Sequence, residues 1–277
     1  MKASFIIAFS YLFLSSFSSY SMSNVSIAKL NGIQLEYIDT GAGSANIIIE
    51  SGIGMRVNYW QPLLENLKQL NFRVIIYSRA GNGKSSQLDD VSRNISNKRL
   101  DHLLAYLNIK NNIILVDHSY GGLHARQFAA NFPGKVRGIV LLDPSHELFS
   151  KELKKQNKHW AEKDDEKLNR LMIGNQEWFE LQKEYSKGML LDGGKISSIP
   201  TVTIISSKIA ESDWWIGHSE IGKKIWRKLH ASLIESNPNS THIITNTVGH
   251  NIPIEKPSLV ISSINQLLLI LDNNIAL

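Results

Sequence analysis

Six short apolar runs, rich in β-branched residues, recur along the chain: NIIIE (46–50), RVIIYS (73–78), NIILVD (112–117), RGIVLL (137–142), TVTIIS (201–206) and THIITNT (241–247). Several are nearly continuous rather than alternating, which suits strands covered on both faces, as in a parallel sheet. Between them lie stretches of helical character, among them NYWQPLLENLKQL (58–70), LHARQFAANF (123–132), GKKIWRKLHASLIES (222–236) and KPSLVISSINQLLLIL (256–271). Strand and helix in alternation imply an α/β architecture, a mostly parallel sheet flanked by helices. Ahead of these runs VSIAKL and IQLEYID flank Asn31-Gly32, a dipeptide that favours a tight hairpin, which brings the expected strands to eight. Residues 144–199 break the rhythm. They hold no convincing strand and set Trp160, Trp178 and Phe179 on charged, helix-forming sequence, so they read as a helical insertion.

Composition removes several classes of function. With 277 residues, 43% hydrophobic and 20% charged, the chain can bury a full core and is neither disordered nor fibrous. Its 30 Lys+Arg against 25 Asp+Glu give a formal charge of +5, but lysines and acids interleave, as in KELKKQNKHWAEKDDEK (151–167). No basic stripe marks a nucleic-acid groove, so no nucleic-acid partner is expected. The absence of cysteine excludes disulfides, thiol nucleophiles and cysteine-ligated zinc or iron–sulfur sites. His118, His124 and His146 lack metal-ligand spacing with acids on one helix and read as structural or pocket-lining, so neither a metal nor another cofactor is expected. RAGNGKSS (79–86) ends like a phosphate loop at Gly83-Lys84-Ser85, yet Ser78 stands where that motif needs its first glycine.

The opening MKASFIIAFSYLFLSSFSSYSMSN carries Lys2, an apolar run from Phe5 to Phe17 interrupted by serines, and then small polar residues. That is the pattern of a secretory signal peptide over residues 1–23. The run is shorter than the ~18–20 apolar residues of a membrane span. Cleavage after Ser21 or Ser23 is therefore expected, with export to the periplasm or the medium and no permanent membrane span. An uncleaved anchor is the alternative, because Tyr20 and Met22 make an imperfect cleavage site. The expected organisation is a core of residues 24–143 and 200–277 interrupted by the insertion at 144–199.

Chemistry concentrates in NIILVDHSYGG (112–122), where a strand runs straight into a turn carrying Ser119 and then Gly121 and Gly122. A serine on such a strand-to-helix turn is lifted out of the sheet, and glycines after it let the backbone pass the next helix. This is a nucleophile elbow. The usual form is Gly-x-Ser-x-Gly; here Asp117 takes the first glycine's place. His250, in VGHNIPIEKP (248–257), follows the last strand and is the candidate general base.

From about residue 25 to the C-terminus the sequence resembles the α/β-hydrolase family through five matches in family order. ESGIG (50–54) resembles the His-Gly oxyanion loop with Ser51 in place of the histidine, and YSRAGNGKSS (77–86) the Arg-x-Gly-x-Gly-x-Ser loop. The elbow at Ser119, the strand end LLDPSHE (141–147) and the terminal Gly-His-x-x-Pro loop at His250 complete the series. The resemblance implies the α/β-hydrolase fold, with an eight-stranded sheet and residues 144–199 forming a helical lid. It also implies a serine hydrolase in which Ser119 attacks, His250 is the base and the backbone amides of Ile53 and Tyr120 form the oxyanion hole.

Most of the family carries the acid after the strand at 201–206, but Ile209 stands at that place, with Glu211 and Asp213 nearby. A subset, including many haloalkane dehalogenases, places it at the preceding strand end 24 residues after the nucleophile, which here is Asp143. Asp143 is the preferred acid, with Asp213 and Glu211 as alternatives. Because the nucleophile is serine, chemistries that need an aspartyl ester are disfavoured. The expected activity is hydrolysis of a small-molecule carboxylic ester or related acyl compound through an acyl-enzyme. Acyl transfer and amide, lactone or carbon–carbon hydrolysis use the same triad and stay open, as does a ligand-binding protein that has lost catalysis. The tryptophans of the insertion suggest an apolar acyl or aromatic moiety, unless they form the insertion's own core.

Overall fold

Asn31 and Gly32 both take left-handed backbone, with φ of 47° and 84°. The chain therefore reverses between β1 (Ser26–Leu30) and β2 (Ile33–Asp39), which pair antiparallel as Asn-Gly hairpins do. The computed structural model describes residues 25–189, 196–212 and 214–273; the leader expected in residues 1–23 and the alternative acid Asp213 lie outside these. The other strands are β3 (Asn46–Glu50), β4 (Arg73–Tyr77), β5 (Ile113–His118), β6 (Val136–Leu142), β7 (Thr201–Ser206) and β8 (Ser240–Thr245). They form one sheet in the order β1-β2-β4-β3-β5-β6-β7-β8. β2 also pairs antiparallel with β4, and every pairing from β4 through β3 to β8 is parallel.

Period-two alternation divides the apolar runs between two helical layers. Ile47, Ile49, Val116 and Val140 face one side, against Leu64 of α1 (Gln61–Lys68) and Ile264 and Leu267 of α9 (Pro257–Asn273). Ile48, Leu115 and Ile139 face the other, against Leu103 of α2 (Arg93–Tyr106) and Phe128 of α3 (Gly121–Asn131). Every residue of β5 and of β7 is buried, as two-sided cover requires. α2 is not among the helices named from the sequence. Its RNISNKRLDHLLAY is largely polar, and Leu100, Leu103 and Leu104 supply a narrow buried stripe.

After β3 the chain crosses to β4 on one side, then returns to β5 on the other. The winding reverses at the β3–β5 pair, where open α/β sheets leave a crevice beyond the carboxyl ends of their strands. The register aligns Glu50 with Asp117, and His118 with Leu142, so β3, β5 and β6 end level around that crevice.

Between β6 and β7 come α4 (Phe149–Gln156), α5 (Lys158–Leu171) and α6 (Gln176–Lys187). Asn157 and Asn175 cap the last two, their side chains accepting the Trp160 and Trp178 N–H groups. Trp178 and Leu181 of α6 pack on Tyr120 and Leu123 at the start of α3, with Ile53 beside them. Trp160 packs with the cluster of Phe149 and of Trp226 in α7 (Glu220–Ile234). Both tryptophans thus serve packing, whereas Phe179 is about half exposed at 47%. The short α8 (Ile252–Glu255) precedes α9. Among the described residues no helix is long and apolar enough to cross a membrane.

Candidate active site

β5 delivers Ser119 at the crevice with φ of 56°, a left-handed conformation that costs a non-glycine residue roughly 1–2 kcal/mol. The next turn can close only over glycines. A Cβ at Gly121 would lie 2.4 Å from the Glu50 carbonyl oxygen, and one at Gly122 would lie 2.4 Å from Pro144 Cβ. The first turn of α3 is thereby seated against the ends of β3 and β6. Asp117 is fully buried, and neither of its carboxylate oxygens has a hydrogen-bond partner among the described residues. Burial, and then the neighbouring Glu50 carboxylate, push the Asp117 carboxyl well above the usual range.

β6 ends at Leu142, and Asp143 follows with φ of 44°, its N–H donating to the Ile204 carbonyl at 2.7 Å. Oδ1 of its carboxylate accepts the Ser206 N–H at 2.9 Å and the Trp226 indole N–H at 2.7 Å. Oδ2 faces His250 Nδ1 at 2.6 Å, and His250 Nε2 lies 3.0 Å from Ser119 Oγ. A carboxylate only accepts, so Nδ1 carries the ring proton and Nε2 presents its lone pair to the serine. Burial on its own would raise the Asp143 carboxyl. The hydrogen bond and charge of His250, with Lys223 and the Ser206 N–H, outweigh it and hold Asp143 down to about 2.

The His250 loop is held at several points. Ser206 Oγ donates to the Val248 carbonyl at 2.7 Å, and the Gly249 N–H donates to Glu255 Oε2 at 2.6 Å. His118 Nε2 lies 2.8 Å from the His250 carbonyl oxygen, so this nitrogen is the protonated one. The His118 ring sits between Tyr59, stacked at 5.7 Å, and the His250 ring at 4.8 Å. Burial, then the nearby His250, lowers His118 to about 3 and keeps it neutral.

Ser51–Gly54 completes the crevice. A Cβ at Gly52 would approach Ser119 Cβ to 3.4 Å, so this loop lies directly against Ser119. The amides of Ile53 and Tyr120 have no protein acceptor among the described residues. Ser51, at the place of the family's histidine, accepts the Trp60 indole N–H at 2.8 Å.

The structure thus brings Ser119, His250, Asp143, Ile53 and Tyr120 to one crevice. Glu211 is exposed in the loop after β7, and among the described residues nothing joins it to His250. Sequence reasoning missed the hold of Trp226 and Ser206 on Asp143. Trp226 lies 83 residues away on an amphipathic helix and looks there like any core tryptophan. It also left His118 as generally structural, without its hydrogen bond to the His250 loop.

Comparison with known proteins agrees with this architecture. A family model described as the alpha/beta hydrolase fold matches residues 45–188. The uncharacterized protein YqjL of Bacillus subtilis (strain 168) is 25% identical over 230 residues, 79% of this chain and 82% of the relative. Among solved structures, mouse alpha/beta hydrolase domain-containing protein 10 superposes with a TM-score of 0.65 at 17% identity, covering 88% of this chain and 98% of its own. A thermophilic esterase from Thermogutta terrifontis gives 0.59 at 18% identity, covering 90% and 99%. Likeness at such identities speaks to the fold alone; with the family match over half of the sequence, it shows that this chain belongs to the α/β-hydrolase fold family.

Proposed function

We propose that this protein is a serine hydrolase that cleaves a small-molecule carboxylic ester or related acyl compound, with Ser119, His250 and Asp143 as its triad. The observation that carries the proposal is the unbroken series of contacts from Asp143 Oδ2 to His250 Nδ1 at 2.6 Å and from His250 Nε2 to Ser119 Oγ at 3.0 Å. Such a series lets the histidine take the serine proton while the carboxylate fixes its tautomer and stabilises the imidazolium. Ser119 Oγ attacks the carbonyl carbon, and the carbonyl oxygen takes up the negative charge. The Ile53 and Tyr120 amides, together with the positive end of α3, face that charge. Collapse of the intermediate expels the alcohol, protonated by His250, and leaves Ser119 acylated. His250 then deprotonates water, which releases the acid.

The packing of α6 on Tyr120 and Leu123 supports reading residues 144–199 as a lid over the acyl site. The sequence of residues 1–23 supports export, tested by the N-terminal mass of the recovered protein, expected to begin at Met22 or Asn24. The catalytic proposal is tested with a panel of p-nitrophenyl esters of increasing acyl length. Turnover by the wild type and its loss in Ser119→Ala support it. Equal rates for the two proteins, or an inert wild type that only binds the esters, overturn it.

A further inference from the structure

Arg79, in the loop after β4, is buried at 3% exposure and spends its donors on four residues at once. Nε donates to Glu177 Oε1 at 2.6 Å and Nη1 to Glu50 Oε2 at 2.9 Å. Nη1 also reaches the Ser51 carbonyl at 2.7 Å, and Nη2 the Gly52 carbonyl at 2.9 Å. Glu177 belongs to α6, is itself buried, and accepts the Gly54 N–H on its other oxygen at 2.8 Å.

The Gly52 carbonyl and the Ile53 N–H are the two ends of one peptide unit. In a planar trans peptide they point in opposite directions, so a donor fixed on the Gly52 oxygen also fixes where the Ile53 N–H is aimed. The next peptide is pinned at its own N–H, that of Gly54, by Glu177. Both peptide planes that flank Ile53 are therefore tied, directly or through Arg79, to one carboxylate on the inserted helix. Ile53 offers the amide that faces the oxyanion, and its loop rests against Ser119.

We propose that Glu177 is a positioning residue. Through its bonds to Arg79 and to the Gly54 N–H, Glu177 sets the direction of the Ile53 amide, and the oxyanion site is complete only while those two bonds hold. The role in turnover rests on the serine-hydrolase reading above. The loop clamp itself does not, and can be measured without substrate.

α6 supplies its own control. Glu184, two helical turns beyond Glu177 on the same face, is also buried and pairs with Arg93 Nη2 at 3.3 Å, far from Ser51–Gly54 in its contacts. Glu184→Gln should loosen the docking of the helix without touching the loop. In Glu177→Gln the amide can still accept from Gly54, but its NH2 then faces Arg79. Both variants and Glu177→Ala are compared by ester kinetics and by hydrogen exchange over residues 50–55.

Glu177→Gln is expected to lower kcat about 10- to 100-fold, as misplacement of one oxyanion donor does, with KM within about threefold. Glu177→Ala should lower it further. Exchange at residues 51–55 should quicken in both, while Glu184→Gln keeps kcat within about twofold and leaves exchange at the loop unchanged. Equal losses of kcat in Glu177→Gln and Glu184→Gln would reduce the effect to general docking and overturn the proposal. So would unchanged loop exchange in Glu177→Gln. A wild type inert toward esters whose loop is nevertheless deprotected by Glu177→Gln would count against the hydrolase reading and in favour of the clamp.

Discussion

The two oxygens of Asp143 do separate work, and a single substitution distinguishes them. In Asp143→Asn the amide oxygen can keep the Ser206 and Trp226 donors, but an NH2 then faces His250 Nδ1 and favours the wrong ring tautomer. We expect kcat to fall about 10³- to 10⁴-fold while the circular dichroism spectrum and melting temperature stay near wild type. Collapse of the fold instead would give Asp143 a structural role in holding β6 to β7. Asp117, two residues before Ser119, makes the opposite prediction. Its carboxyl is raised by burial and Glu50, so the folded state holds a proton that the unfolded chain releases above a pH of about 4. The stability linked to that proton is present below the unfolded pKa and declines as pH rises toward the folded one. Asp117→Asn should match wild type near pH 4 and exceed it by a growing margin up to pH 8 in urea unfolding, with little change in turnover.

At the scale of elements, the seating of α3 is the tightest constraint. Gly121→Ala would force a Cβ to 2.4 Å from the Glu50 carbonyl oxygen, a backbone atom held in the sheet. It should cost about 2 kcal/mol or more in urea unfolding, whereas Gly134→Ala, with nothing within 4 Å of the added atom, should be nearly neutral. This difference also marks what was legible in the sequence. Gly121 and Gly122 signal the elbow because a close backbone approach demands glycine, the Asn-Gly turn marks β1 and β2, and the β-branched runs mark the other six strands, of which β3 to β7 are covered on both faces. The wholly buried β5 and β7 were recognisable from these runs within a residue or so. α2 was not named, because three leucines among polar residues leave a weak periodic signal. Asp143 was preferred from its spacing after Ser119. The contacts that brace it come from Ser206 and Trp226, 63 and 83 residues away, and long-range pairs leave no local trace. Glu177 was equally hidden, one acid among many on a charged helix until Arg79 is seen beside it.

For the molecule as a whole, buried groups held in one protonation state set the response to acid. His118 and His146 are each lowered to about 3, chiefly by burial and then by a neighbouring histidine. Nδ1 of His146 accepts the Leu148 N–H at 3.2 Å, a bond that exists only while that nitrogen is unprotonated. Asp143 and Glu147 lie at about 2, where their cationic partners outweigh burial. All four have folded values below their unfolded ones, so their stability is full above the unfolded value and lost as pH falls toward the folded one. Between pH 7 and 5 the histidines dominate, and the carboxylates add to the loss below about 4.5. One such histidine accounts for about 3 kcal/mol at pH 4. Urea midpoints should therefore drop steadily from pH 7 to 4, and His146→Gln should flatten that slope. The proposed function requires Ser119 to be an activated nucleophile beside a formed oxyanion hole. Its most direct test is labelling of the purified protein with a fluorophosphonate, whose phosphonyl group mimics the tetrahedral intermediate, followed by peptide mass mapping. One adduct is expected, on Ser119, and none in Ser119→Ala. A folded protein left unlabelled, or labelled on another residue, would contradict it.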